Sequence, residues 1–332
     1  MFIIISGVFF YLLGLAFPIK HKLLIFKCFS IRSKRYILYL LVFLSFFSFL
    51  YEVRNIGYIP ILAIGRQLNI YGDVGEAMSF LHTFVLLAPV IIFWVMILGR
   101  QDVISKKEKN ILLCVLYLIF VNNFGRTSLL MFALIGFIYL DYYYKINLIK
   151  ILTGLSLFVF AFVVMGNLRS GSTTETINQI LRNIAKTKYE TSIMESYLAS
   201  YSSVNFYKMN DLIKKKEELN YFSYGKNALK PACKLLRIQD DSVEEFQTQT
   251  NLTTYLADPY LDFGFIGVLI FNYLYAYTAQ SVFFKYRDAV SEEYVVSWGL
   301  ILFCIFMMCF FNAFNTMLVW VTYFFNKILL KK

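Results

Sequence analysis

The sequence predicts an all-α, polytopic membrane protein with about nine spans, and three observations lead there. Hydrophobic residues make up 59% of the 332 and charged residues 16%, against about 25% charged in a soluble domain. Apolar runs of near-spanning length recur along the chain. Lysine and arginine gather in alternate loops between those runs, the pattern that membrane insertion imposes. Aromatics reach 19%, which suits lipid contact and interfacial belts.

Taken in order, the apolar runs cover residues 2–17, 36–51, 79–98, 110–122, 127–144, 151–166, 260–284, 295–312 and 316–330. Several fall short of the roughly 20 residues that cross an untilted bilayer core. The first has no basic residue ahead of it, so it reads as a span rather than a cleavable signal. The fourth breaks at Asn122-Asn123-Phe124-Gly125-Arg126, as a tight hairpin or as a re-entrant dip covered by protein or water. This layout gives an N-terminal bundle of about six spans (1–166), a long loop (167–259) and a C-terminal bundle of about three spans (260–332).

Orientation follows from the short loops. Lys20, Lys22, Lys27, Arg32, Lys34 and Arg35 share one side with Arg100, Lys106, Lys107, Lys109, Lys145, Lys150, Lys285, Arg287, Lys327, Lys331 and Lys332. Short loops on the other side hold only Arg54, Arg66 and Arg126. The first side is therefore expected in the cytoplasm, with the N-terminus outside and the C-terminus inside. The net charge of +11 is explained by this bias, and no nucleic-acid partner is expected. The long loop then faces outward. Ile177, Ile180, Leu181 and Ile184 recur there at helical spacing, as do Ile193, Met194, Tyr197, Leu198 and Tyr201, which predicts amphipathic helices on the membrane surface. The run Lys214–Lys216 followed by Glu217 and Glu218 reads as a solvated turn.

Composition removes several chemistries. The five cysteines have no pairing pattern: Cys114, Cys304 and Cys309 lie in apolar runs, Cys28 in a basic loop, and Cys233 alone in the long loop. With two histidines, His21 and His82, and no HExxH or clustered carboxylates, no bound metal is expected. No Walker A or GxGxxG pattern occurs, so no nucleotide and no other cofactor is expected. The predicted spans hold almost no charge: Asp141 and Glu52 lie near span ends. An ion-coupled carrier would place ionisable groups near the midplane.

Polar chemistry concentrates instead at residues 250–267, TNLTTYLADPYLDFGFIG, where the long loop closes and the seventh span begins. Asn251, Thr253 and Thr254 are suited to hydrogen-bond sugar hydroxyls, and Tyr255 or Tyr260 to stack on a sugar face. Asp262 has two compatible readings. It is a general base or orienting group for a hydroxyl, or a first-turn carboxylate favoured by the dipole of a helix that Pro259 starts. Gly264 and Gly267 shape the backbone. Arg126, in Gly-Arg-Thr-Ser, and Arg169, in Leu-Arg-Ser-Gly-Ser, are flanked by glycine and hydroxyl residues rather than aliphatics. That setting suits bidentate phosphate recognition; the plainer reading is an arginine snorkelling to the interface. Arg66, in Ile-Gly-Arg-Gln, has the same two readings.

These residues resemble the Wzy-type oligosaccharide repeat-unit polymerases of O-antigen and capsular polysaccharide synthesis. The matching features are, in order, Gly57-Tyr-Ile-Pro60, Gly125-Arg126-Thr-Ser128, Tyr224-Gly225-Lys226, and the motif from Asn251 through Tyr260-Leu-Asp262-Phe-Gly264 to Gly267. The resemblance implies a GT-C-like membrane glycosyltransferase of the bacterial cytoplasmic (inner) membrane. It would join oligosaccharide units linked to undecaprenyl diphosphate, with inversion and without a nucleotide sugar, into O-antigen lipopolysaccharide or capsule. Arg126, Arg169 and Asp262 would serve the chemistry, and Arg66, Asn251, Thr253, Thr254, Tyr255, Tyr260 and Gly264 the substrate. The partners implied are that lipid-linked oligosaccharide and membrane lipid, with a chain-length regulator left open. O-antigen ligases resemble the same motif but place a histidine near Thr250 or Asn251, which this chain lacks; that favours polymerase over ligase and leaves the general base unassigned. A lipid-linked oligosaccharide flippase is the alternative from another class. Relatives often have more spans, so a further N-terminal segment is compatible with the resemblance.

Overall fold

The computed structural model describes residues 2–16, 29–63, 79–123, 125–147, 149–150, 152–154, 156–157, 205, 208–219, 221–236, 238 and 254–331. They are helical, with no strand among them. In chain order the helices are α1 (Phe2–Ala16), α2 (Ile31–Ile56), α3 (Ser79–Leu86), α4 (Ala88–Arg100), α5 (Lys106–Asn123), α6 (Arg126–Tyr144), α7 (208–219), α8 (Lys230–Leu235), α9 (Ala257–Arg287), α10 (Glu293–Met307) and α11 (Met317–Leu330). Among the described residues three helices are long and apolar enough to cross a membrane: α2, residues Thr127–Tyr144 of α6, and α9. Shorter apolar helices are Ile5–Ala16, α4, α10 and α11. The predicted span at 151–166 and the amphipathic stretches at 177–201 fall almost wholly outside the described residues.

Helix ends follow local chemistry. Ser30 caps α2, its Oγ accepting the Ser33 N–H at 3.1 Å, and Gly57 ends it at φ 83°, a left-handed turn that glycine adopts without a Cβ clash. The expected span at 79–98 is two helices, because Pro89 in the first turn of α4 has no N–H to continue the ladder from α3. The break after Asn122 is a short connection: α5 ends at Asn123, and α6 starts after an extended Gly125. Asn122 is spent locally, accepting the Ile61 N–H at 3.2 Å and donating to the Leu118 carbonyl at 2.8 Å. Ser105 and Glu108 form a reciprocal capping box at the start of α5. With the Ser105 N–H, the Tyr39 hydroxyl and Arg35 around it, the Glu108 carboxyl is held down to about 2.

The chain divides into two compact units. One comprises Lys22–Ser172, Val282–Ile301 and Val321–Lys332. Its core is α4, in which Val90, Ile91, Ile92, Trp94, Val95, Ile97 and Leu98 are fully buried. At one end of this unit Trp94 Nε1 donates to Asn326 Oδ1 at 3.0 Å, and Asn326 Nδ2 donates to Ser297 Oγ at 2.7 Å. Lys327 pairs with the buried Glu293 at 2.7 Å beside them.

The other unit comprises Met1–His21, Thr173–Ser281 and Leu302–Trp320. Here α1 lies against the later part of α9 through small residues. A Cβ on Gly14 would meet the Tyr273 carbonyl at 2.6 Å and Ala276 Cβ at 2.8 Å, and one on Gly7 would meet Asn272 at 3.2 Å. On the earlier part of α9, Met209 and Leu212 of α7 pack into a cluster with Leu256, Ala257, Tyr260, Leu261 and Val268. The Lys214–Glu218 run is therefore not the solvated turn the sequence suggested. It is helical, and Lys216, seven residues after Met209, lies on the buried stripe at 4% exposure.

Candidate active site around a broken helix

Helix α9 is interrupted at Gly264, whose φ of 62° and ψ of −144° are open only to glycine at ordinary energy. The break folds the first half back closely enough that a Cβ on Gly267 would clash with the Pro259 carbonyl. Carbonyls at the broken turn find partners from outside the helix. The Lys216 ammonium donates to Tyr260 O and, at 3.3 Å, to Leu261 O; the Ser223 N–H also reaches Leu261 O at 3.3 Å. The ammonium lies over the Phe222 ring at 4.1 Å and the Tyr260 ring at 4.6 Å. Burial pushes the Lys216 ammonium below the ordinary lysine value, and the Asp262 charge opposes that shift.

Asp262 is fully buried and accepts hydrogen bonds on both oxygens. Ser223 Oγ, the Asn227 N–H at 3.1 Å and Asn227 Nδ2 at 3.2 Å donate to Oδ1; the Ala228 N–H donates to Oδ2 at 2.6 Å. Those two N–H groups open the helical turn that leads into α8, where Leu229 N–H reaches back to Gly225 O at 2.9 Å. First-turn N–H groups have no partner within their own helix. Asp262 thus caps a different helical segment from the one it belongs to, rather than its own first turn. The preceding turn is held by Tyr224 and Gly225, both at positive φ (48° and 93°), and by the Lys226 N–H on Ser223 O at 3.1 Å.

One turn earlier, Asp258 has a different setting. It is partly exposed. Asn315 Nδ2 donates to Asp258 Oδ2 at 3.2 Å and also to the Asn227 carbonyl. The neighbouring Asn312 amide donates to Tyr275 Oη at 2.8 Å. Tyr275 stacks on Phe314 at 4.6 Å, fixing the 3₁₀ turn Ala313–Asn315 against α9. Among the described residues the amide oxygens of Asn312 and Asn315, both residues 6% exposed, have no hydrogen-bond donor. A polar chain therefore runs Asp262–Asn227–Asn315–Asp258, with the Asn312–Tyr275 pair on the same 3₁₀ turn as Asn315.

Of the residues singled out in the sequence, Asp262, Gly264, Thr254, Tyr255 and Tyr260 come together here. Thr254 is buried at 4% exposure with its hydroxyl lacking a partner. The Tyr255 hydroxyl is bonded to Asn272 Oδ1, and its N–H to Met308 O at 3.1 Å. Tyr260 is buried with Lys216 on one ring face. Arg66, Arg169, Asn251 and Thr253 lie outside the described residues, as does the Arg126 side chain; the Arg126 backbone starts α6 in the other unit. Lys216, Asn227, Asn312 and Asn315 were not singled out; Asp258 stood only as the second carboxylate of residues 250–267, with no role given to it. A signal existed for Asp258 alone, four residues before Asp262 and so on the same helical face. Comparison with protein-family models, curated proteins and solved structures returned no match.

Proposed function

We propose that this protein is a membrane glycosyltransferase that polymerises lipid-diphosphate-linked oligosaccharide units. The carrying observation is the polar chain of carboxylates and amides at the broken end of α9, with no Asp, Glu, Lys, Arg or His between residues 263 and 284 of the same helix. Side chains of this kind recognise hydroxyl-rich, uncharged groups, and a sugar joined to a membrane lipid presents them at the end of a span. In this reading the chain has about nine spans and a GT-C-like arrangement, and it sits in a bacterial inner membrane with its N-terminus outside. Residues 250–267 then face the outer surface. Arg126 and Arg169, with Arg66, hold the diphosphate, where charge accumulates as the glycosidic bond breaks and where fixed guanidinium groups stabilise it.

The test is the surface-glycan length profile of a deletion strain complemented with variants. Loss of the protein is expected to collapse a ladder of long chains to single repeat units. Arg126→Ala and Arg169→Ala are each expected to do the same while the protein remains in the membrane. An intact ladder in both variants would remove these arginines from the mechanism. Loss of single units as well would point to a ligase or a flippase.

A further inference from the structure

Resting on the polymerase reading, we propose that Asp258 is the proton acceptor for the attacking sugar hydroxyl, and that Asp262 is a positioning residue that builds the wall around it. Two carboxylates lie one turn apart on α9, and their surroundings separate their roles. Asp262 is fully buried with four donors on its two oxygens, so it has neither access to a substrate nor room for a proton. Asp258 is reached by solvent and held in place by a neutral amide instead of an ion-pair partner in contact.

The surrounding groups fit a hydroxyl-bearing ligand. Asn315 Nδ2 is committed to two acceptors, the Asp258 carboxylate and the Asn227 carbonyl, which fixes the amide orientation and leaves its oxygen with no donor. Asn312 is oriented by its donation to Tyr275 Oη and leaves a second such oxygen. Buried acceptors without donors are rare. Here two flank a carboxylate at the end of an apolar helix, where sugar hydroxyls would supply the missing protons.

The step is a single displacement. The acceptor hydroxyl oxygen bonds to the anomeric carbon of the donor glycan while the bond from that carbon to the diphosphate oxygen breaks. The lipid diphosphate leaves with the electron pair. Asp258 takes the hydroxyl proton and later returns it to water. No metal or redox partner is needed to balance it.

The experiment complements a deletion strain with full-length variants, reading the glycan ladder and the amount of protein in the membrane. Asp258→Asn keeps size and polarity but removes the base. It is expected to accumulate to the wild-type level and lower chain elongation about 10²- to 10⁴-fold, the usual worth of a general base, leaving single units. Asp258→Glu is expected to restore part of the ladder, which a purely structural contact to Asn315 would not require. A wild-type ladder from Asp258→Asn would overturn the assignment and leave the polymerase reading standing. If Asp258→Asn does not accumulate, Asp258→Glu decides: an accumulating protein with a restored ladder supports a required carboxylate, and one with no ladder overturns it. A deletion strain that keeps its long chains would instead refute the polymerase reading itself.

Discussion

Asp258 and Asp262 differ by one helical turn and by the number of protons aimed at them. Because Asp262 takes two backbone N–H groups and two side-chain donors while fully buried, its removal strands several buried donors at once. Each buried donor left unpaired costs about 1–3 kcal/mol. Asp262→Ala is therefore expected to lower stability by at least about 3 kcal/mol, read as a fall in the thermal midpoint of detergent-purified protein. Lys216 adds a pH dependence of known sign. Its ammonium is depressed in the folded state, chiefly by burial, relative to about 10.4 in the unfolded chain. The folded state thus binds that proton less tightly, and stability is greatest above the unfolded value and declines as pH falls from there through the lowered folded one. Wild-type protein should gain thermal stability as pH rises toward 10, and Lys216→Met should flatten that rise. An identical slope in both would mean that another group dominates the alkaline range.

At the scale of elements, the decisive device is the interruption of α9. A helix of 31 residues would run about 46 Å if straight, longer than a bilayer core. Gly264 divides it, so the part after the break packs on α1 while the part before it turns back under α7. The α1 contact depends on the absence of side chains at Gly7 and Gly14, since dispersion at close backbone approach drives helix association in lipid. Gly14→Leu would force its side chain into the Tyr273 carbonyl and Ala276. It is expected to separate α1 from α9, measured as a fall in the thermal midpoint of detergent-purified protein; an unchanged midpoint would show that the helices tolerate the wider spacing.

Across the whole molecule, charge and apolar surface are sorted the way a membrane sorts them. Among the described residues the three longest apolar helices carry their charged residues towards the ends: Arg32, Lys34, Arg35, Glu52 and Arg54 in α2, Arg126 and Asp141 in α6, and Asp258, Asp262, Lys285 and Arg287 in α9. Burying such groups mid-span would cost several kcal/mol each. Two of the neutral polar residues inside these helices show how such groups are satisfied. Ser45 Oγ donates to Phe84 O at 2.8 Å and Asn272 Nδ2 to Val268 O at 2.7 Å, so neither leaves that donor unsatisfied. In these three helices the ionisable groups are thus left to the ends, where the proposed chemistry at Asp258 would take place.

The sequence by itself determined the all-helical class and the approximate places of the apolar helices, because hydropathy is carried within each run; the ends at Ser30 and Gly57 and the division at Pro89 are set as locally, but the hydropathy reading passed over them. It also singled out residues 250–267, since a dense polar run at the edge of a span is visible without coordinates. It did not reveal that Gly264 breaks the helix: a lone glycine in an apolar run reads the same in a straight helix as in a broken one. Nor did it distinguish the two aspartates. Asp262 is saturated by Ser223, Asn227 and Ala228, some 35 positions away, and Asp258 is framed by Asn312 and Asn315, more than 50 positions on. Only tertiary structure decides such pairings, because a hydrogen bond depends on distance in space and leaves no period in the chain. The same holds for Lys216, a charged residue on an apolar stripe that is buried because the open carbonyls of another helix were there to receive it.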